Sequence, residues 1–378
     1  MKTLGVGMVG YGFMGKMHTY SYKSLPMLYE PAPAAIRLVG VAVRSDESAR
    51  LATEQAGYEY STKDYHDLLA DDKIDVINCC APNNLHRDVV VAAIQAGKHV
   101  YVDKPLALNL AHAKEIVLAE QQALADGVSR TYQMAQNYRF VPAMMRAREL
   151  IEEGRLGVIY TFNLRYLHSS NVDPNRSLQW KSDKTIGGGG VLVDLGSHII
   201  DLTRFLLGEF ARVCAYPVTP IKERPDGKGG RVAVETDDVC FVLVELENGA
   251  VGTLEASKLS TGANDELTVE IRGSKGAITF NLMDSNWLRF YDNSNQDAPL
   301  GGEKGFLQIE CVQRYPKPAV IPGPKLGVGW MRFHIASIYE FVTRVAAGEP
   351  GNPSLTDGLE THKVIDACYD SPGVWTKI

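Results

Sequence analysis

The chain has 378 residues, 45% of them hydrophobic and 22% charged, with a net charge of −6. That length supports two domains with full cores, and the composition is that of a soluble globular protein. An acidic balance with no lysine or arginine block argues against nucleic acid as a partner and for a small molecule. No apolar run reaches the roughly eighteen residues that a membrane span needs, so no membrane association and a cytoplasmic location are expected.

The chain opens on an apolar run that ends in glycines at Gly10, Gly12 and Gly15. This G-x-G-x-x-G spacing closes a buried first strand and opens a helix over Lys16 to Leu25. Gly10 allows the tight turn, Gly12 lets the backbone approach a pyrophosphate, and Gly15 lets the helix pack on the sheet. The phosphates would then sit on the helix N-terminus, where N–H groups and the helix dipole favour an anion. No small-residue cleavage site follows, so the stretch reads as this turn and not as a signal peptide.

Pro26 to Ala35, with three prolines, reads as a loop. Then come a strand at Arg37 to Val43, a helix at Glu47 to Ala56 ended by Gly57, and a strand at Asp75 to Cys80. A helix at Leu85 to Ala96 follows, stopped by Gly97, then a strand at His99 to Val102, a helix at Asn109 to Ala125 and a strand at Thr131 to Gln136. This alternation predicts an α/β domain over residues 1–136, a Rossmann-type, doubly wound parallel sheet. At the tip of the second strand, where an acid would accept from the adenosine ribose, stand Arg44 and Ser45, with Asp46 next. Arginine beside serine would instead hold a 2′-phosphate, and the choice between NAD and NADP stays open.

From residue 137 to 378 the pattern changes to strands at Val158 to Tyr166, Val239 to Leu246, Ala250 to Lys258, Leu267 to Arg272 and Ala277 to Leu282. Asn248-Gly249 and Gly273-Ser274-Lys275-Gly276 mark tight turns between them. The second domain is therefore expected to be α+β, with a large, mainly antiparallel sheet packed on helices that include Leu192 to Leu207 and Arg332 to Ala347. Val239 to Leu246 is apolar on both alternating sets apart from Glu245, which predicts that its outer face is covered in a homodimer or homotetramer. The six cysteines form no C-x-x-C pair and read as buried thiols in a reducing compartment, with no metal site.

Three stretches carry groups suited to chemistry. Ala81-Pro82-Asn83-Asn84-Leu85-His86 follows one strand and Asp103-Lys104-Pro105 another, both at the carboxyl edge where open sheets bind ligands. The third is Gly187 to Leu207, where four glycines suit a loop passing close to a ligand. In a helix from Val191, Leu195, Ile199, Leu202 and Leu206 form one stripe, and Asp194, His198 and Asp201 cluster beside it. Asp194 and His198 stand at i, i+4: a histidine suited to proton transfer and a carboxylate that would orient it.

Together these stretches resemble the glucose–fructose oxidoreductase/inositol dehydrogenase/MocA family over essentially the whole chain. The features are the glycine motif, A-P-N-x-x-H, D-K-P where the family usually has E-K-P, N-Y-R at Asn137 to Arg139, and D-x-x-x-H at Asp194 and His198. Y-G-F-M-G-K-M-H, the P-A-P insertion at Pro31 to Pro33, D-P-N at Asp173 to Asn175 and the following Trp180 look most like the sugar 3-dehydrogenase branch of that family. The resemblance implies a catalytic group of Lys104, Asp194 and His198. It implies cofactor contacts from Gly10, Gly12, Phe13, Met14, Arg44, Ser45, Ala81, Pro82, Asn83, His86, Asp103, Lys104 and Asn137. Arg139, Tyr166 and Trp180 join the catalytic group in binding a sugar. Asp103 departs from the usual glutamate, and Arg44 from the acid common in NAD users.

The expected activity is NAD(P)-dependent oxidation of a secondary hydroxyl on a sugar, glycoside or inositol, with the sugar C3 position as one option. His198 would take the hydroxyl proton and Lys104 would stabilise the oxyanion. Two alternatives are a sugar–sugar oxidoreductase that keeps its cofactor bound, and a cofactor-binding regulatory protein without turnover. The latter would need none of Lys104, Asp194 and His198.

Overall fold

A computed structural model of the chain describes residues 2–378. Its first part runs β1 (Thr3–Val9), α1 (Phe13–Leu28), β2 (Ala35–Ala42), α2 (Asp46–Arg50), β3 (Tyr60–Thr62), α3 (Tyr65–Ala70), β4 (Val76–Cys79), α4 (Asn83–Gln95), β5 (His99–Val102), α5 (Leu110–Ala125) and β6 (Tyr132–Met134). The six strands form one sheet in the order β3-β2-β1-β4-β5-β6, every neighbouring pair parallel. β1, β4 and β5 are buried along almost their whole length, as strands covered by helices on both faces must be. The order reverses between β1 and β4, which puts the carboxyl ends of β1, β4 and β5 where such sheets bind ligands.

Three local expectations change. The helix expected to end at Leu25 continues through Pro26 to Leu28; in the last turn a proline forfeits only one helical hydrogen bond, and Leu25 and Tyr29 are drawn into the core. The helix ended by Gly57 is α-helical only to Arg50 and π-helical over Leu51–Ala56. β3 and α3 were not expected, since a three-residue edge strand carries too little periodicity to be read.

The second part continues with α6 (Pro142–Glu152), β7 (Ile159–Leu167), α7 (Lys184–Gly187), α8 (Ser197–Leu207), β8 (Phe210–Val218), β9 (Glu223–Pro225), β10 (Arg231–Ala233), β11 (Val239–Leu246), β12 (Val251–Ser257), β13 (Glu266–Gly273), β14 (Gly276–Asn281), β15 (Trp287–Asp292) and β16 (Phe306–Glu310). Then follow α9 (Trp330–Ala347), α10 (Leu355–Asp370) and β17 (Thr376–Lys377). Nine strands make a sheet in the order β16-β15-β14-β13-β7-β12-β11-β8-β17, antiparallel except for the β7–β12 pair. Both predicted turns join paired strands; between Leu246 and Ala250, whose N–H and carbonyl pair at 2.9 Å, Gly249 takes the positive φ of 84° that closes a three-residue hairpin loop.

α6 contacts β15 and α8 contacts β7 of this sheet, and on one face of β11 Cys240, Val242, Val244 and Leu246 are buried. On the other face Phe241 and Leu243 are 48% and 49% exposed. Tyr216, directly opposite Phe241, and Val251, opposite Glu245, are exposed as well.

The compact units do not follow the simple division at residue 136. One comprises residues 1–140, 315–323 and 330–362, the other residues 141–314, 324–329 and 363–378. α9, expected against the antiparallel sheet, instead packs on α1: Ile335, Ile338, Phe341 and Val342 share a buried cluster with Tyr22, Leu25 and Tyr29. Among the described residues no helix is long and apolar enough to cross a membrane.

Candidate active site

In the first unit, the glycine turn behaves residue by residue as its spacing predicts. Gly10 has φ +89°, and a Cβ there would fall 2.6 Å from the Cys80 carbonyl oxygen. A Cβ on Gly15 would lie 2.3 Å from the Gly10 oxygen, whereas one on Gly12 would meet nothing within 4 Å. Gly10 and Gly15 are thus required by the protein's own packing, while Gly12 leaves open space beside the start of α1. No side chain caps that helix at Gly12, which suits an anionic group at its N-terminus. The exposed Phe13 lies 5.6 Å, centroid to centroid, from Trp330, and Met14 is half-buried. These residues fit a dinucleotide.

At the tip of β2, Arg44 is exposed. The Ser45 hydroxyl caps α2, accepting from Ser48 N–H at 3.1 Å and donating to Ser48 Oγ at 2.8 Å. Asp46 forms an exposed ion pair with Lys63 at 2.9 Å. Ser45 and Asp46 are thus engaged with the protein's own groups, and Arg44 stands exposed beside them.

Beyond β4, Ala81 and Asn83 are buried and Pro82 half-buried. His86 is buried, its ring nitrogens 2.8 Å from the Ala81 carbonyl oxygen and 2.9 Å from that of Pro105. It ties the end of β4 to the Lys104-Pro105 turn, so it braces the loops expected to hold a cofactor. Asp103 Oδ1 accepts from the Lys104 N–H at 2.8 Å, which fixes the backbone from which the Lys104 side chain departs. Asn137 is buried. Arg139, expected to bind a sugar, is also buried and faces Asp357 at 3.1 Å. Burial pushes the Asp357 carboxyl up, but the Arg139 charge and the Ser354 donors outweigh it and hold it below the usual carboxylate range. Arg139 thereby secures the start of α10.

In the second unit, the segment bearing Asp194 is π-helical over Leu192–Gly196 and becomes α-helical at Ser197, where a regular helix was expected. Such wide turns recur at functional sites. His198 and Asp201 are buried, so the polar stripe faces inward and not into solvent. Each Asp194 oxygen has an ammonium: Lys181 Nζ at 2.8 Å from Oδ1 and Lys258 Nζ at 3.0 Å from Oδ2. The Tyr166 ring stands edge-on to His198 at 5.6 Å, and its hydroxyl donates to Asp265 Oδ1 at 2.6 Å. His168 Nε2 lies 3.0 Å from the same oxygen. Trp180 is 41% exposed, one residue before Lys181.

The glycine run has a different cause from the one expected. A Cβ on Gly190 would fall 2.1 Å from the Asp237 carbonyl oxygen, and one on Gly187 would fall 2.7 Å from that of Lys181. The glycines let the chain press against itself. The buried Asp237 carboxylate accepts from Gly190 N–H at 3.1 Å, Leu192 N–H at 3.0 Å and the Tyr369 hydroxyl at 2.6 Å. Asp237 thus anchors the start of the helical segment that carries Asp194 and His198. Sequence reading missed Asp237, Lys181, Lys258 and Asp265. Only Asp237 leaves a readable trace, in two successive acids, Asp237-Asp238, at the entrance to an apolar strand.

Residues 4–125 match the family model described as an oxidoreductase family with an NAD-binding Rossmann fold, and residues 144–279 the GFO/IDH/MocA C-terminal domain. Levoglucosan dehydrogenase of Pseudarthrobacter phenanthrenivorans is 35% identical, over 98% of this chain and 96% of that protein. Myo-inositol 2-dehydrogenase of Thermotoga maritima is 27% identical, over 83% of this chain and 90% of that one. A solved structure of levoglucosan dehydrogenase with NADH and levoglucosan superposes with a TM-score of 0.93 at 35% identity, covering 100% of both chains. The complex of that enzyme with NADH and L-sorbose gives 0.94 at 35% identity, over 100% of this chain and 99% of the other.

Replacing Asp237 by alanine leaves two backbone N–H groups and the Tyr369 hydroxyl without their acceptor. Asp237→Ala should lower the unfolding free energy by about 2–5 kcal/mol in urea denaturation, and Asp237→Asn, which keeps one acceptor oxygen, by less. A loss under about 1 kcal/mol in the alanine variant would show that the helical segment does not depend on this carboxylate.

Proposed function

We propose, from the premise that this chain belongs to the GFO/IDH/MocA family of oxidoreductases, that it oxidises a secondary hydroxyl of a cyclic sugar, glycoside or inositol. The sugar C3 hydroxyl is one candidate position, with Lys104, Asp194 and His198 handling the proton. The nicotinamide cofactor, when bound, supplies the hydride acceptor. His198 accepts the hydroxyl proton, and Lys104 donates to the oxygen as negative charge develops on it. Asp194, four residues before His198, orients the imidazole. Tyr166 walls one side of that ring, and Trp180 offers an exposed apolar face to a sugar. The observation that carries this reading is the placement, on one helical segment, of a carboxylate held by two ammonium groups and a buried histidine edge-on to a tyrosine. The names of the two relatives, acting on levoglucosan and on myo-inositol, support a cyclic polyhydroxyl substrate.

Lys104→Ala and His198→Ala should each lower kcat by at least about a hundredfold, because each removes a proton-transfer or oxyanion interaction. Dinucleotide affinity, followed by fluorescence titration, should change far less. Near-native turnover in either variant on the best substrate of a sugar panel would overturn the role given to that residue.

Cofactor choice rests on Arg44, since Ser45 is engaged in capping α2. Arg44→Asp should weaken NADP binding much more than NAD binding, because a carboxylate repels a 2′-phosphate but accepts from a 2′-hydroxyl. Equal effects on the two dissociation constants would place Arg44 away from the ribose.

The apolar outer face of the nine-stranded sheet, with Tyr216, Phe241, Leu243 and Val251 exposed, supports a homodimer or homotetramer in which two such faces meet. Sedimentation equilibrium at micromolar concentration should give a mass of at least twice the 41.5 kDa of one chain. A single species at the monomer mass would contradict the assembly.

A further inference from the structure

The first turn of α9 carries an arginine whose surroundings differ from those of the chain's other paired arginines. Arg332 is 6% exposed, and its guanidinium lies between two tyrosine rings, 4.9 Å from the Tyr29 centroid and 4.2 Å from that of Tyr315. Nη1 donates to the Tyr29 hydroxyl at 2.7 Å. Nε and Nη2 are buried and have no hydrogen-bond partner. The nearby Glu340 carboxylate receives Arg344 Nε at 2.6 Å and so is engaged elsewhere.

Nε–H and Nη2–H point the same way and form the side-on fork of a guanidinium, which matches the two oxygens of a carboxylate. Among the described residues that fork is met by a carboxylate elsewhere: Arg212 directs both nitrogens at Glu245 Oε2, at 2.7 and 2.5 Å. Arg204 directs the same two nitrogens at Glu209, at 2.8 and 2.7 Å, and Arg37 directs them at Glu59. At Arg332 the fork is equally well formed but faces no acid. A guanidinium cannot shed its proton to escape burial. The ring faces on either side stabilise its charge without satisfying the two N–H groups.

We propose that the Arg332 fork is a binding site for a small monovalent anion of halide or carboxylate size. Both donors are closed to solvent, so the proposed occupant is an ion of a few atoms and not a nucleotide or a sugar. The occupied site fixes the first turn of α9, two residues from Trp330, whose ring packs on Phe13 beside Gly12. An ion that binds the folded chain alone raises its stability with concentration.

The test is thermal unfolding of the full chain without cofactor, in sodium gluconate replaced stepwise by sodium chloride or sodium formate at constant ionic strength. The wild-type Tm should rise saturably by at least about 2 °C with chloride or formate. Arg332→Gln, which lacks the charge, should show no rise. Arg332→Lys, which keeps the charge but not the fork, should show a weaker one. Should neither variant fold, chloride-35 line broadening on the wild-type protein decides: excess broadening relieved by formate and not by gluconate supports the site. Identical Tm values in the three salts without broadening would mean that water serves the fork. A response in Arg332→Gln equal to that of the wild type would place the ion elsewhere. Either result overturns the proposal.

Discussion

The Asp237 carboxylate accepts the N–H groups of Gly190 and Leu192 and the hydroxyl of Tyr369, while its backbone oxygen takes the Val191 N–H at 2.8 Å. Gly190 presses so close that no other residue fits there. Its neighbour Asp238 extends the hold. Asp238 Oδ1 accepts from Asn171 Nδ2 at 2.7 Å, and the Asp238 carbonyl takes the Lys258 N–H at 2.9 Å. Lys258 in turn reaches Asp194. Two consecutive acids at the entrance to β11 therefore hold the start of the helical segment, the loop after β7 and the lysine that steadies the candidate catalytic carboxylate. Burial makes this costly to disturb, because an unmet backbone N–H away from water loses its full solvation.

The first unit solves the same problem with backbone close approach. Gly10 and Gly15 let the end of β1 and the start of α1 meet almost in contact, and His86 links the loops after β4 and β5 by a pair of carbonyl contacts. The residues proposed to meet a cofactor are thus carried at the ends of buried parallel strands and not on long surface loops. Preorganisation of this kind is what hydride and proton transfer require, since small misplacements of a donor cost large factors in rate.

The likeness extends over 98% of the chain for a levoglucosan dehydrogenase and 83% for a myo-inositol 2-dehydrogenase. Asp103 fixes its own neighbour's N–H. Arg44 stands exposed just beyond β2, with its adjacent serine occupied in capping α2. Substrate and cofactor preference within such a family is set by side chains of this kind, because the fold itself is compatible with many substrates.

The sequence by itself determined the parallel sheet, the glycine turn, the Asn248-Gly249 hairpin and the strand ends that carry Lys104 and Asp103. All of these follow from local periodicity or from a backbone geometry that only certain residues adopt. It also showed Asp194 and His198 as a pair on one helical segment. Only the tertiary structure decided that α9 returns to pack on α1, that Arg139 faces Asp357, and that Lys181, Lys258 and Asp237 surround the segment bearing Asp194 and His198. It also assigned the glycine run before Asp194 to close packing and showed a π-helical turn where a regular helix was expected. Most of these rest on partners tens to hundreds of residues apart, whose meeting is set by burial and hydrogen-bond satisfaction across the folded chain and leaves no pattern along it.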